Sequence, residues 1–184
     1  MDLFTAIDTR ASALTLSDPA PTLEHLQRIL AAGARAPDHG KLAPWRFVIV
    51  TGPSREILGN AMAHGLLARE PQASAEQLQR ERDKVVRAPC IIAVAASIKQ
   101  GHKVPEIEQV TAVAAATQNM FLAAHALGYG AMWKTGPAAY ASQVKAALGL
   151  QAVDHIVALL YLGAIATPGK ARAAVLEERV QWLV

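Results

Sequence analysis

The feature that most narrows the fold is the run Cys90–Ile98, apolar except for Ser97. It is rich in Ile and Val and shows no polar alternation, which predicts a strand covered on both faces. Such a strand needs a layer above it and a layer below it, and the rest of the chain must supply both. Gln109–Leu127 is the longest helical stretch and is apolar almost all round, so it is expected to lie deep in one layer or at a subunit contact. Gln118, Asn119 and His125 interrupt it, and it is too short and too polar to cross a membrane.

Around these two segments the other elements follow from caps and periodicity. Asp2–Arg10 reads as a short helix with Leu3, Ala6 and Ile7 on one face. Thr22 is a suitable N-cap for a second helix, with Leu23, Leu26, Ile29 and Leu30 as its buried stripe, ending near Arg35 before Pro37. Arg46–Thr51 predicts a strand, Gly52-Pro53 opens a helix to about Leu67, and Ser74 with Gln77 forms a capping box for the next helix. Gly128 predicts a left-handed stop after the long helix. Tyr129–Lys134 reads as a short strand, Ser142–Leu148 as a small helix and His155–Ile165 as a buried strand, while Ala174–Val184 has no local partner. Helices and strands mix without strict alternation, giving an α+β sandwich with helices on both faces of a small sheet. Residues 1–184 contain no repeat and no linker, so a single domain is expected.

Composition excludes several function classes. With 52% apolar and 18% charged residues over 184 positions, the chain buries a real core. The net charge of +3 is spread along the sequence, without the basic and aromatic clustering of a nucleic-acid binder. The single cysteine, Cys90, permits no internal disulfide and reads as buried and inert. Met1–Arg10 has no secretory pattern, so the cytoplasm is the expected compartment and no membrane partner is expected. Neither a G-x-G-x-x-G nor a Walker loop nor a G-x-S-x-G elbow is present, and no His pair has metal-ligand spacing.

Three segments carry a resemblance: Thr9-Arg10-Ala11-Ser12-Ala13, Arg35-Ala36-Pro37-Asp38-His39-Gly40-Lys41-Leu42-Ala43-Pro44-Trp45-Arg46-Phe47, and Leu127-Gly128-Tyr129-Gly130-Ala131-Met132-Trp133-Lys134-Thr135-Gly136. Together with His102-Lys103-Val104-Pro105 and Tyr161-Leu162-Gly163, their order and spacing resemble the nitroreductase family, in particular its small YdjA-like branch. The loop around Pro37-Asp38-His39-Gly40 is the most specific part. The resemblance covers essentially the whole chain. It implies a three-layer sandwich with a mixed, mostly antiparallel sheet, and a homodimer whose C-terminal arms exchange. It also implies an FMN in each of two interface sites, reduced by NADH or NADPH, and a small-molecule acceptor such as a nitroaromatic or quinone. It further implies hydride transfer through flavin N5 by a ping-pong scheme, with no side chain required as nucleophile. The alternatives are a flavin-binding sensor or carrier without turnover and an interaction module without flavin.

The resemblance assigns cofactor-binding positions residue by residue. Arg10, Ala11 and Ser12 match the phosphate-binding segment, and Lys170 and Arg172 match the basic residues that complete it. A phosphate dianion needs charged donors of this type. The same residues also read as a helix-terminal Arg, a loop Ser and a solvated basic turn. Arg35 and His39 match FMN contacts of the small branch, and equally read as a helix cap and a turn stabiliser. Met132, Trp133, Lys134 and Thr135 match the segment along the isoalloxazine ring, where backbone N–H groups are the donors. The family's second basic or polar residue after Arg and Ser is absent here, where Ala13 and Leu14 stand. Lys41, His39 and Arg35 all remain candidates to balance charge on the ring.

Overall fold

The structure is a computed structural model describing residues 1–177 and 179–183. The helices are α1 (Leu3–Thr9), α2 (Leu23–Gly33), α3 (Ser54–Arg69), α4 (Ala75–Arg82), α5 (Glu106–Ala126) and α6 (Ser142–Ala147). The strands are β1 (Thr15–Ser17), β2 (Trp45–Thr51), β3 (Cys90–Ala96), β4 (Gly130–Lys134) and β5 (His155–Thr167). The capping signals act as expected: Thr22 Oγ1 accepts from His25 N–H, and Ser74 and Gln77 close a reciprocal capping box. Gly128 stops the long helix at φ +85°, a conformation that costs a Gly nothing.

β3 organises the molecule. It pairs with β2 on one side and β5 on the other, both antiparallel. Every one of its residues is buried. Alternate side chains enter two separate cores. Ile91, Ala93 and Ala95 join Leu58, Met62, Val144 and Leu159 under α3 and α6. Cys90, Ile92, Val94 and Ala96 join Ile29, Val113, Met120 and Phe121 under α2 and α5. β4 and β1 each pair antiparallel with β5, so the fold is an α+β sandwich with an antiparallel sheet between helical layers.

The structure differs from the sequence reading at four points. Leu23 is 73% exposed rather than part of the buried stripe, because it opens α2 beyond the reach of α5, while Ile29 in the middle of the helix is fully covered. Leu3 and Ile7 are likewise exposed, and only Ala6 of α1 is buried. The strand β1 was not expected: its three residues are too few and too polar to show a pattern, and pairing with β5 holds it in place. The long helix starts earlier than Gln109, at Glu106, directly after Pro105, with Glu106 and Glu108 in the first turn where acidic residues complement the helix dipole. No helix among the described residues is long and apolar enough to cross a membrane.

Candidate functional site

The Arg10 end of the candidate site is built by non-local pairing. α1 ends at Thr9, and Arg10 N–H closes its last turn on the Ala6 carbonyl at 3.1 Å. The chain then runs extended between two strands. Ala13 N–H donates to the Ala131 carbonyl at 3.0 Å, and Leu14 N–H to the Thr167 carbonyl at 2.9 Å. β5 leaves the sheet at Thr167, and Gly169 packs directly on the Ser12 backbone. Lys170 and Arg172 therefore arrive beside Arg10, Ala11 and Ser12, around one cavity of about 380 Å³. Three cations face this cavity against one carboxylate, Asp8. That donor set suits a small dianion: two guanidinium forks, an ammonium and a hydroxyl.

Leu14 also lines a second cavity of about 380 Å³, shared with Thr15, Leu16, Arg87, Met132 and Lys134. Arg87 and Lys134 in turn line a third, of about 210 Å³, with Lys84, Thr135, Met62 and Tyr161. The first and second cavities share Leu14, and the second and third share Arg87 and Lys134, so the three adjoin in a row, the trough, from the Arg10 end past Met132 to Tyr161. The Tyr161 side chain is 3% exposed, and burial pushes its phenol up to about 12, partly opposed by the Arg87 guanidinium. Lys84 is paired with Glu81 at 2.5 Å, whereas Arg87 and Lys134 make no side-chain hydrogen bond or ion pair among the described residues.

Of the residues matched from sequence, Arg10, Ala11, Ser12, Lys170 and Arg172 share the first cavity, and Met132, Lys134 and Thr135 line the other two. The Trp133 side chain goes elsewhere. It packs on the α5 side of the sheet and donates Nε1–H to the Val157 carbonyl at 3.1 Å, so only its backbone faces the trough. Arg35 and His39 are not gathered with the rest of this chain's set. His39 lines a separate surface hollow with Asp38, Glu108 and Thr111, and its Nδ1 lies 2.5 Å from a Glu108 carboxylate oxygen. Asp38 is occupied locally, accepting from Ala43 N–H at 2.6 Å where the loop turns through positive φ at Lys41 and Ala43.

Sequence reasoning missed Arg87 and Gly169. Arg87 ends a short helical turn, Asp83–Arg87, and in sequence it merges with the charged face of α4. Gly169 precedes Lys170 in an ordinary-looking polar stretch, and only the fold reveals how near Ser12 comes.

The profile described as "Nitroreductase family" matches residues 7–164. The chain is similar to the Escherichia coli K12 protein named "Putative NAD(P)H nitroreductase YdjA", 39% identical over 163 residues, covering 89% of this chain and 88% of that one. It is 35% identical over 164 residues to a Haemophilus influenzae protein named "Putative NAD(P)H nitroreductase", again covering 89% and 88%. Among solved structures, a nitroreductase-like family protein from Bacillus cereus superimposes with a TM-score of 0.87 at 24% identity, covering 100% of this chain and 96% of that one. A Desulfovibrio desulfuricans structure described as "a putative nitroreductase in complex with fmn" gives a TM-score of 0.76 at 28% identity, covering 98% and 96%.

Proposed function

This chain belongs to the nitroreductase family, in its YdjA-like branch, and on that premise we propose that residues 1–184 work as one FMN-binding domain of a homodimeric NAD(P)H oxidoreductase. The observation that carries the reading is the meeting of Arg10 and Ser12 with Lys170 and Arg172, from opposite ends of the sequence, around one polar cavity. This cluster fits the phosphate of FMN in number of cations and in donor type. The trough beyond it, with Met132 among its lining residues, fits a flat aromatic ring system better than a compact ligand.

In this reading Arg10, Lys170 and Arg172 neutralise the phosphate, and Ser12 adds a hydroxyl donor. The Met132–Thr135 backbone supplies donors along the ring, which leaves their side chains free to shape the walls. FMN held there would supply hydride chemistry at N5 between a nicotinamide and an acceptor, a nitroaromatic or quinone in our assignment, with one reactant leaving before the next enters. Arg35 and His39 line no part of their own chain's trough, so we assign them to the site of the second copy. The segment 174–184, of which Glu178 and Val184 lie outside the described residues, is assigned to an arm laid on that copy. Its exposed apolar residues Val175, Leu176, Val180, Trp182 and Leu183 suit such a contact. We place the protein in the cytoplasm.

The test is the visible spectrum of purified protein before and after anaerobic NADH or NADPH. A flavin band that bleaches is expected. Protein that stays colourless after reconstitution with FMN overturns the reading, and bound flavin that no nicotinamide bleaches turns it into a carrier or sensor.

A further inference from the structure

One face of α5 backs the phosphate end of the trough. Phe121 and His125 lie four residues apart on that helix and therefore on the same side. Phe121 is 4% exposed, and the Arg10 guanidinium carbon sits 4.6 Å from its ring centroid, within cation–π range. His125 Nε2 lies 2.9 Å from Thr9 Oγ1. The Thr9 hydroxyl also lies 2.6 Å from the Thr5 carbonyl oxygen, which can only accept. Its one hydrogen goes there, so Thr9 Oγ1 accepts from His125, and the imidazole carries its proton on Nε2. Two consecutive residues at the end of α1 are thus each gripped by α5: Thr9 through a hydrogen bond and Arg10 through its stacked side chain.

An unsupported Arg loses rotamer freedom when it binds an anion. One already stacked on a buried ring has met that cost beforehand. A Lys would not be equivalent, since the planar guanidinium is what stacks. The neutral imidazole also suits its place: burial first, and then the Arg10 charge, hold His125 below the usual histidine range, so it adds no competing cation behind Arg10.

We infer that Phe121 is a positioning residue for the phosphate ester, with His125 fixing the neighbouring Thr9: Phe121 holds Arg10 in the first cavity before ligand arrives and gives the site its preference for phosphorylated over unphosphorylated flavin. The inference rests on the FMN reading above.

The test compares dissociation constants for FMN and riboflavin by fluorescence quenching. The proteins are wild type, Phe121→Met, Phe121→Tyr, Arg10→Ala and the Arg10→Ala/Phe121→Met pair. Losing the ring should weaken FMN binding by about fivefold to twentyfold. Riboflavin binding should be unchanged, Phe121→Tyr should retain FMN, and Phe121→Met should add nothing once Arg10 is gone. His125→Leu should show a smaller loss of the same selectivity, and His125→Gln, which keeps a donor, should restore it; this pair serves if Phe121→Met fails to fold. Equal losses for FMN and riboflavin, or a full additional loss in the double variant, would mean that Phe121 is only core packing and would overturn the inference. Wild-type protein that binds neither flavin overturns the FMN reading itself, and this inference with it.

Discussion

Gly169 and Ser12 are packed so closely that a Cβ placed on Gly169 would lie 1.9 Å from the Ser12 carbonyl oxygen. The obstacle is backbone, which cannot rotate aside. Gly169→Ala must therefore push the Lys170–Arg172 segment away from Arg10 and Ser12. The expected result is a stability loss of about 1–3 kcal/mol, as for other overpacking changes. FMN binding should weaken disproportionately. Thermal melts with and without FMN measure both effects, and an alanine variant with wild-type FMN affinity would show that the two segments need not be held together.

The separation of His39 from the trough makes a specific prediction for mixed dimers. Arg10→Ala and His39→Ala should each weaken FMN binding in homodimers. When the two chains are co-expressed with different tags and purified as heterodimers, one site carries both lesions and the other carries none. Half the sites should then bind FMN with wild-type affinity. If His39 serves its own chain, every site in the heterodimer has one lesion and no tight binding returns.

His125 predicts a pH dependence with a definite sign. Burial, and then the Arg10 charge, hold its folded value below that of an ordinary histidine. As pH falls through the unfolded value, the unfolded chain takes up a proton before the folded one does. Stability is therefore fully present above about 6.5 and declines as pH drops toward the folded value. Urea denaturation across that range should show the decline in wild type and a smaller one in His125→Gln. A direct check is the His125 titration by NMR, which should have its midpoint below that of an exposed histidine.

Cys90 should be inert in the native state. It is buried in β3, and burial pushes its thiol up to about 11, against a smaller opposing effect of Arg55. At pH 8 a thiol-reactive disulfide reagent should label unfolded protein completely and native protein only as fast as the chain opens. Rapid native labelling would mean that β3 is far less protected than its full burial indicates.

The sequence makes the two-sided strand and the long buried helix legible because both depend on unbroken apolar composition. Caps are legible for a similar reason: Thr22 and Ser74 act within four residues of themselves. Leu23 shows the limit, since periodicity reports a helix face but not where the neighbouring helix ends. β1 shows another, because three residues held by a partner far along the chain carry no local signal. At the candidate site, resemblance pointed to Arg10, Ser12, Lys170 and Arg172 as a set, and the fold gathers their side chains around one cavity. Nothing in sequence order indicated that Phe121 would lie under Arg10, that Arg87 would wall two cavities, or that the Trp133 ring would turn away. Those relationships arise from how the helices and strands pack against each other.

The pairing of β1 with the end of β5 also has a consequence for biosynthesis. Thr15 Oγ1 donates to Thr167 Oγ1 at 2.7 Å, a contact spanning 152 positions. The first cavity takes walls from both sides of that closure. A nascent chain can neither give β3 its second neighbour nor bring Lys170 and Arg172 beside Arg10 until the residues through Arg172 have left the ribosome. The first cavity is therefore a late product of folding, because its walls meet only through contacts of high sequence separation, the slowest class a chain can make.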